Sequence, residues 1–348
     1  MERMPGQVTL SDVAREAGVS LATASRALNG SANRTVGEDL RKRVHAAAAR
    51  LRYSPDGIAQ AMARGRTTSL GLVVHDIADP YFAAIAAGVA AAADEAGLMV
   101  TLASTGRRPE RAVEIVTQLE RQRARAVILA GGASGDAEAD GAVRAALDSF
   151  RGVGGAVAVV GRDGLGSNSV VLADREGAAD LARALHGLGY RRFAVLGAAG
   201  HNAALTDRRD GFVGALADLG CAVPADLVLD GAPTRDGGHA AMARLLDGGA
   251  AGDVQAVFAV TDVMAAGALA AARTAGLRVG EDIGVAGFDG IEALQDVVPG
   301  LTTVRLPLAR IGEEATRLAL RPSAAEPEVV PLAGEVLLGS STPGVPGR

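Results

Sequence analysis

Residues 8–29 read VTLSDVAREAGVSLATASRALN, and they decide how the N-terminal part of the chain folds. Thr9 and Asp12 have the Ser/Thr-x-x-Asp/Glu spacing of a helix capping box, in which each side chain satisfies an orphan backbone N–H. Val13, Ala14 and Ala17 give this helix an apolar face, and Gly18 suits the left-handed residue that ends it. Ser20 then caps a second helix carrying Ala24, Ala27 and Leu28. Two helices joined by a tight turn containing glycine form either an ordinary helical hairpin or a helix-turn-helix, whose second helix enters the DNA major groove.

The flanking residues separate those two readings. Arg34 to Tyr53 reads as a third, strongly basic helix with Arg41, Lys42, Arg43, Arg50 and Arg52. Residues 1–66 carry eleven Arg/Lys against six Asp/Glu, while the other 282 residues carry 24 against 34. A head of +5 on a body of −10 is the asymmetry that phosphate binding by one module requires. The overall net charge of −5 conceals it.

At 348 residues, 49% hydrophobic and 22% charged, the chain has the composition of a soluble globular protein with two or three domains. The opening MERMPGQ is polar and lacks a signal-peptide pattern, and no apolar run reaches the ~18 residues of a membrane span. A single cysteine, Cys221, excludes an internal disulfide and fits a reducing compartment. A cytoplasmic protein with no membrane partner is therefore expected.

From Ser69 onward, strand-length apolar runs alternate with amphipathic segments. The runs are LGLVV (70–74), LMVTLA (98–103), AVILA (126–130), AVAVVG (156–161), FAVLG (193–197), AVFAV (256–260) and IGVAGF (283–288). Tyr81–Ala96, Pro109–Gln122, Asp174–Leu188 and Asp262–Ala275 read as helices between them. Continuous apolar strands alternating with helices imply parallel sheets covered on both faces, here two of them.

No pattern points to catalysis or to a cofactor. Gly131–Gly135 follows a strand but fits neither a dinucleotide fingerprint nor a phosphate loop, and reads as a plain βα loop. His45, His75, His186, His201 and His239 show no metal-ligand spacing with the lone cysteine. There is no nucleophile elbow or paired catalytic carboxylate, so neither metal nor cofactor is expected and an enzyme is disfavoured.

The order of motifs along the chain resembles the LacI/GalR family of transcriptional repressors. VTLSDVAREAGVS, TASRALNG, RLRYSPDGIAQAMARGRTTSLGLVV and DPYF carry the resemblance at one end. FAVTDVMAAGAL, EDIGVAGFDG and LTTVRLPLARIGEEA carry it at the other, so it spans nearly the whole chain. The resemblance implies an α/β protein: an N-terminal helix-turn-helix head (1–55), a hinge (56–66), and a periplasmic-binding-protein-like body (67–348) of two doubly wound parallel-sheet subdomains. The first subdomain is expected at about 67–172 and 290–321, the second at about 173–289 and 322–345. Crossings are placed near Leu172–Asp174, Asp289–Ile291 and Arg321–Glu326, with Val329–Leu338 as a last strand. It further implies a homodimer on a pseudo-palindromic double-stranded operator, answering to a sugar or sugar-like effector.

By the same resemblance, Leu21, Ala22 and Arg26 face base edges. Arginine can contact guanine bidentately, and Leu21 and Ala22 can pack on thymine methyls; core packing is the other reading of Leu21. Thr23, Ser25 and Asn29 are short donors suited to phosphate. Met62 stands where the family's hinge helix inserts an apolar wedge into the minor groove; a flexible linker with Met62 against the body is its alternative. Tyr81, Phe82, Arg208 and Asp289 are the expected effector contacts, lying beyond the carboxyl ends of strands where open α/β sheets bind ligands. Asp262 reads as the N-cap of the following helix. The chain departs from the family at Thr206, where an arginine is usual, at Arg175 and Thr261, where asparagine is usual, and at Pro233, in place of a stacking aromatic. A stand-alone sugar-binding protein remains the alternative, opposed by the basic head.

Overall fold

The computed structural model describes residues 8–29, 36–53, 66–131, 136–161, 165–198, 202–248, 253–296, 300–321 and 326–345. The chain divides into two compact units, residues 1–68 and 69–348.

The first unit holds helices α1 (Leu10–Ala17), α2 (Leu21–Asn29) and α3 (Glu38–Arg50). The capping box forms as the spacing predicts: Thr9 accepts from the Asp12 N–H while Asp12 accepts from the Thr9 N–H at 2.9 Å. Gly18 takes φ 63° and closes α1. Ser20 Oγ then accepts from the Thr23 N–H at 3.1 Å and opens α2. Third-helix residues pack on both: Val13, Ala14, Ala17, Ala24, Ala27, Val44, Ala47 and Ala48 form one small core. A core built mostly of alanine lets three short helices approach closely. The basic helix is shorter than the sequence indicated, starting at Glu38 rather than near Arg34. Glu38 and Asp39 place negative charge on its N-terminal turn, where the helix dipole favours it.

The second unit is layered α/β, as expected. Its first sheet is all parallel, in the order β2 (Met99–Ser104), β1 (Ser69–Val74), β3 (Ala126–Ala130), β4 (Ala156–Val160), β5 (Asn168–Leu172), β11 (Val329–Leu332). The second sheet, also parallel, runs β7 (Val228–Gly231), β6 (Phe193–Ala198), β8 (Ala256–Ala259), β9 (Gly284–Ala286). A small antiparallel pair joins β10 (Thr303–Arg305) to β12 (Glu335–Leu337). The intervening helices are α4 (Pro80–Glu95), α5 (Pro109–Arg121), α6 (Ala137–Gly152), α7 (Asp174–Gly187), α8 (Ala203–Asp218), α9 (Arg235–Asp247), α10 (Asp262–Thr274), α11 (Glu292–Gln295) and α12 (Leu308–Leu320). Every residue of β3 and β8 is buried, which is why those strands read as unbroken apolar runs.

Glycine allows two helix pairs to touch main chain to main chain. A Cβ at Gly88 of α4 would lie 1.9 Å from the Ala309 carbonyl oxygen of α12, and one at Gly267 of α10 would lie 1.9 Å from that of Arg235 at the start of α9.

Two crossings between the subdomains fall later than the family resemblance places them. After Asp289–Ile291 the chain stays with the second sheet: Gly287 N–H donates to Thr302 O at 2.8 Å and Asp289 N–H to Val304 O at 2.9 Å. It leaves at Leu306–Leu308, where α12 begins. Val329–Leu338 is two strands rather than one: β11 completes the first sheet on β5, and only β12 belongs with the second subdomain's β10. The switch comes at Gly334, where a Cβ would sit 2.7 Å from Val304 Cγ1. The Asp289-Gly290 pair is a turn signal in sequence, yet here the turn leads back onto the same sheet edge.

No helix among the described residues is long and apolar enough to cross a membrane.

Candidate functional site

In the head, α2 divides its residues by depth. Ala24 and Ala27 are buried, whereas Leu21 is 52% exposed and Ala22 is exposed beside it. Core packing therefore does not account for Leu21. Arg26 Nε donates to the Ala22 carbonyl at 2.9 Å, which lays the guanidinium along the same helix face. Thr23 Oγ1 lies 2.8 Å from Ser20 Oγ and so shares in the cap, and Ser25 is half-buried. The side chain of Asn29 and the whole hinge stretch with Met62 lie outside the described residues. Several basic groups of α3 work within the head itself. Arg43 Nη2 donates to the Ala17 carbonyl at the end of α1 at 2.6 Å, and Arg50 pairs with Glu16 at 2.9 Å.

The body brings Tyr81, Phe82, Arg208 and Asp289 to one cleft between its two sheets, together with residues the sequence did not single out: His75, Asp79, Arg107 and Asn202. The cleft encloses about 60 Å³. Its floor is Arg208, buried on α8. Arg208 Nε donates to Asp174 Oδ1 at 2.7 Å, and Nη1 donates to Asp289 Oδ1 at 2.8 Å and to the Val260 carbonyl at 3.0 Å. The Phe288 ring lies 4.0 Å from its Cζ. Burial opposes the arginine's charge, but Asp174 and Asp289 outweigh it and hold its pKa above the usual value. Burial pushes Asp289 well above the carboxylate range, with Arg208 pulling it back, and Asp174 moves the same way for the same reasons.

Asp289 owes its position to an unusual backbone. It sits at φ 131°, outside the region side chains prefer, and Gly290 follows at φ 76°. Asp262 holds this turn from behind: Oδ2 accepts from the Ile291 N–H at 2.8 Å and Oδ1 from Thr303 Oγ1 at 2.7 Å. It does not cap α10. Thr261 does, accepting from the Met264 N–H at 3.2 Å. Burial raises the Asp262 carboxyl to about 6, against the bonds from Thr303 and Ile291.

The facing wall belongs to the first subdomain. Asp79 caps α4 by accepting from the Tyr81 N–H at 3.0 Å. Tyr81 stands edge-on to Phe82 at 4.9 Å and Phe82 edge-on to His75 at 5.7 Å. Burial, then Arg107, lowers the His75 pKa to about 4, so the ring is neutral at pH 7. Gly131, at φ 128°, makes the room: a Cβ there would lie 2.2 Å from His75 Nε2. His75 directly follows β1, so the rule that ligands bind beyond strand carboxyl ends could have found it. Arg175 points elsewhere, pairing with Asp207 at 3.3 Å on an exposed face. Among the described residues no group of three or more His, Cys, Asp or Glu could hold a metal ion.

An exposed apolar and arginine-bearing face on α2, and a cleft with a neutralised guanidinium floor and an aromatic wall, suit two kinds of partner. The first fits base edges in a groove, and the second fits a small molecule rich in hydroxyls. Residues 9–56 match the family model for bacterial regulatory proteins, lacI family, and residues 182–342 match that for the periplasmic binding protein-like domain. Over 319 residues the chain is 34% identical to the HTH-type transcriptional regulator GalS of Salmonella typhimurium, covering 91% of this chain and 90% of that one. Among solved structures it is similar to a complex of the transcriptional regulator CelR with cellobiose (TM-score 0.70, 30% identity, 96% and 100% of the two chains). It is also similar to the lac repressor dimer bound to operator and the anti-inducer ONPF (TM-score 0.84, 26% identity, 97% and 99%).

Proposed function

Because the chain belongs to the LacI/GalR family of bacterial transcriptional regulators, we propose that it is a cytoplasmic, homodimeric repressor whose operator affinity is set by a carbohydrate-like effector in the body cleft. The observation that carries the DNA half is the 52% exposure of Leu21 at the start of α2, next to exposed Ala22 and one turn before Arg26. A leucine left in water on a helix that buries Ala24 and Ala27 has its use in a partner. Arg26 reads a guanine, Leu21 and Ala22 read thymine methyls, and Thr23, Ser25 and Asn29 set register on phosphates.

In the cleft, Asp289, Arg208 and the Tyr81–Phe82 edge hold the effector, whose class follows that of a relative solved with cellobiose. A ligand touching both walls shifts the balance between subdomain orientations only by its difference in affinity for them.

Electrophoretic mobility shifts on selected pseudo-palindromic and random DNA test the reading. Specific affinity falls steeply with salt as phosphate counterions are released. Arg26→Ala costs roughly 1–3 kcal/mol on the selected operator and little on random DNA. Equal losses on both DNAs would remove Arg26 from base readout. For the cleft, Asp289→Asn and Arg208→Lys proteins that still answer the true effector like wild type would sink the effector assignment.

A further inference from the structure

Arg107 lies in the turn between β2 and α5, with its backbone left-handed at φ 63°. Its guanidinium reaches over the cleft and donates from Nη2 to the Pro233 carbonyl at 3.1 Å, a partner 126 residues further along the chain. The same nitrogen is 3.7 Å from Asp79 Oδ2. The two acceptors stand on opposite walls: Asp79 opens α4 in the first subdomain, and Pro233 directly precedes the Thr234 cap of α9 in the second.

The two arginines of the cleft are held very differently. Arg208, with a side chain 4% exposed, is held through Nε and Nη1 by two carboxylates and a carbonyl. Arg107 is 30% exposed, and the nearest carboxylate oxygen, Asp79 Oδ2 at 3.7 Å, lies beyond hydrogen-bond reach. Its bond to a neutral carbonyl is therefore the exchangeable one. Behind it the cleft encloses about 60 Å³, far short of the roughly 300 Å³ at which small-molecule pockets begin. Entry requires the walls to part, and the Arg107–Pro233 bond ties them at the mouth.

We propose that Arg107 is a strap. Its bond to the Pro233 carbonyl holds the two subdomains together across the cleft mouth, and a molecule entering must break that bond and offer the guanidinium an oxygen in exchange. Pro233 leaves its carbonyl open to Arg107 because it carries no aromatic ring that would stack over the cleft mouth. The strap rests on the cleft being the effector site, but its test needs no effector.

The full chain is prepared with Cys221→Ser and a reporter, Leu205→Cys, on the second subdomain's wall, where Leu205 is 7% exposed. The rate at which an aromatic disulfide reagent modifies the reporter then reads opening of the cleft. Arg107→Asn is the informative variant: asparagine tolerates the left-handed backbone, so no new strain enters, and it is too short to reach Pro233. Arg107→Lys keeps charge and reach. The Asn variant should react about tenfold faster than wild type, as expected from losing a hydrogen bond to a charged group, and the Lys variant should fall between them. Should the reporter disturb the fold, hydrogen exchange at residues 105–108 and 232–238 in the reporter-free protein gives the same reading, faster in Arg107→Asn. Equal rates for wild type and Asn overturn the strap while leaving the effector assignment standing. Effector-insensitive Asp289 and Arg208 variants combined with equal rates would place the effector in the cleft and the strap nowhere.

Discussion

Replacing Asp289 tests the cleft floor most directly, and the structure separates three replacements. Asp289→Ala removes one carboxylate from Arg208 but leaves Asp174 at 2.7 Å and the Val260 carbonyl at 3.0 Å. Breaking a buried ion pair costs about 3–5 kcal/mol when the partner is stranded. Arg208 is not stranded, so the loss should lie at or below the low end, about 2–3 kcal/mol. Asp289→Asn keeps an oxygen for the Arg208 Nη1–H and tolerates positive φ, so it should lose only about 1 kcal/mol. Asp289→Gly loses the same bond as alanine but releases the strain of φ 131°, which is of the order of 1–3 kcal/mol. Wild type is expected to be the most stable and alanine the least, with asparagine and glycine between them. Circular dichroism during urea unfolding measures this order, since the chain has no tryptophan to follow. An alanine variant as stable as the glycine variant would refute the strain, and one as stable as wild type would refute the floor.

Two further outcomes follow from the same structure and from the hinge sequence. The Asp262 carboxyl is raised by burial from 3.8 to about 6, so the folded protein holds that proton more tightly than the unfolded chain; the stability it contributes is present below about pH 4 and lost as pH rises toward 6. Asp262→Asn should therefore gain on wild type by up to roughly 3 kcal/mol between pH 4 and pH 7, and unfolding curves with a pH-independent difference would contradict this. Met62→Ala should weaken binding to the selected operator and reduce its bend while the body stays folded, because an apolar wedge offsets the few kcal/mol of unstacking. Circular-permutation assays showing equal bends would end the wedge reading.

Local chemistry was legible in the sequence. The Thr9–Asp12 box, the Gly18 turn and the Ser20 cap depend on residues within four positions of one another, and all three form as their spacing predicts. The alternation of apolar runs announced parallel sheets because buried strands need no polar face. Long-range pairing was not legible in that way. Arg208 meets carboxylates 34 and 81 residues away, and only the family resemblance brought Arg208 and Asp289 together. Asp174 reads in sequence only as the start of a helix, and the neighbouring Arg175 faces outward. Arg107 carried no signal, since a turn arginine is ordinary until its partner across the cleft is known. The resemblance places two crossings too early, because it does not say which strands pair on which sheet and Val329–Leu338 reads as one strand. Sheet order decides both, and sheet order is not a local property. Leu21 shows a further limit: its type fits core or groove equally well, and it takes the 52% exposure in the structure to set the core aside.

The glycine contacts between α4 and α12, and between α9 and α10, bear on how the body would answer selection. With main chains pressed together at 1.9 Å from a hypothetical Cβ, each pair behaves as a welded joint that admits no added atom. Each subdomain is then a stiff plate, and elastic compliance concentrates in the short connectors after Leu172, Leu306 and Leu332. A library of random substitutions screened for altered switching should therefore be sparse at Gly88 and Gly267, where changes cost the protein itself. Its survivors should crowd into those connectors, where a small change in backbone torsion alters how the plates meet without loosening either one.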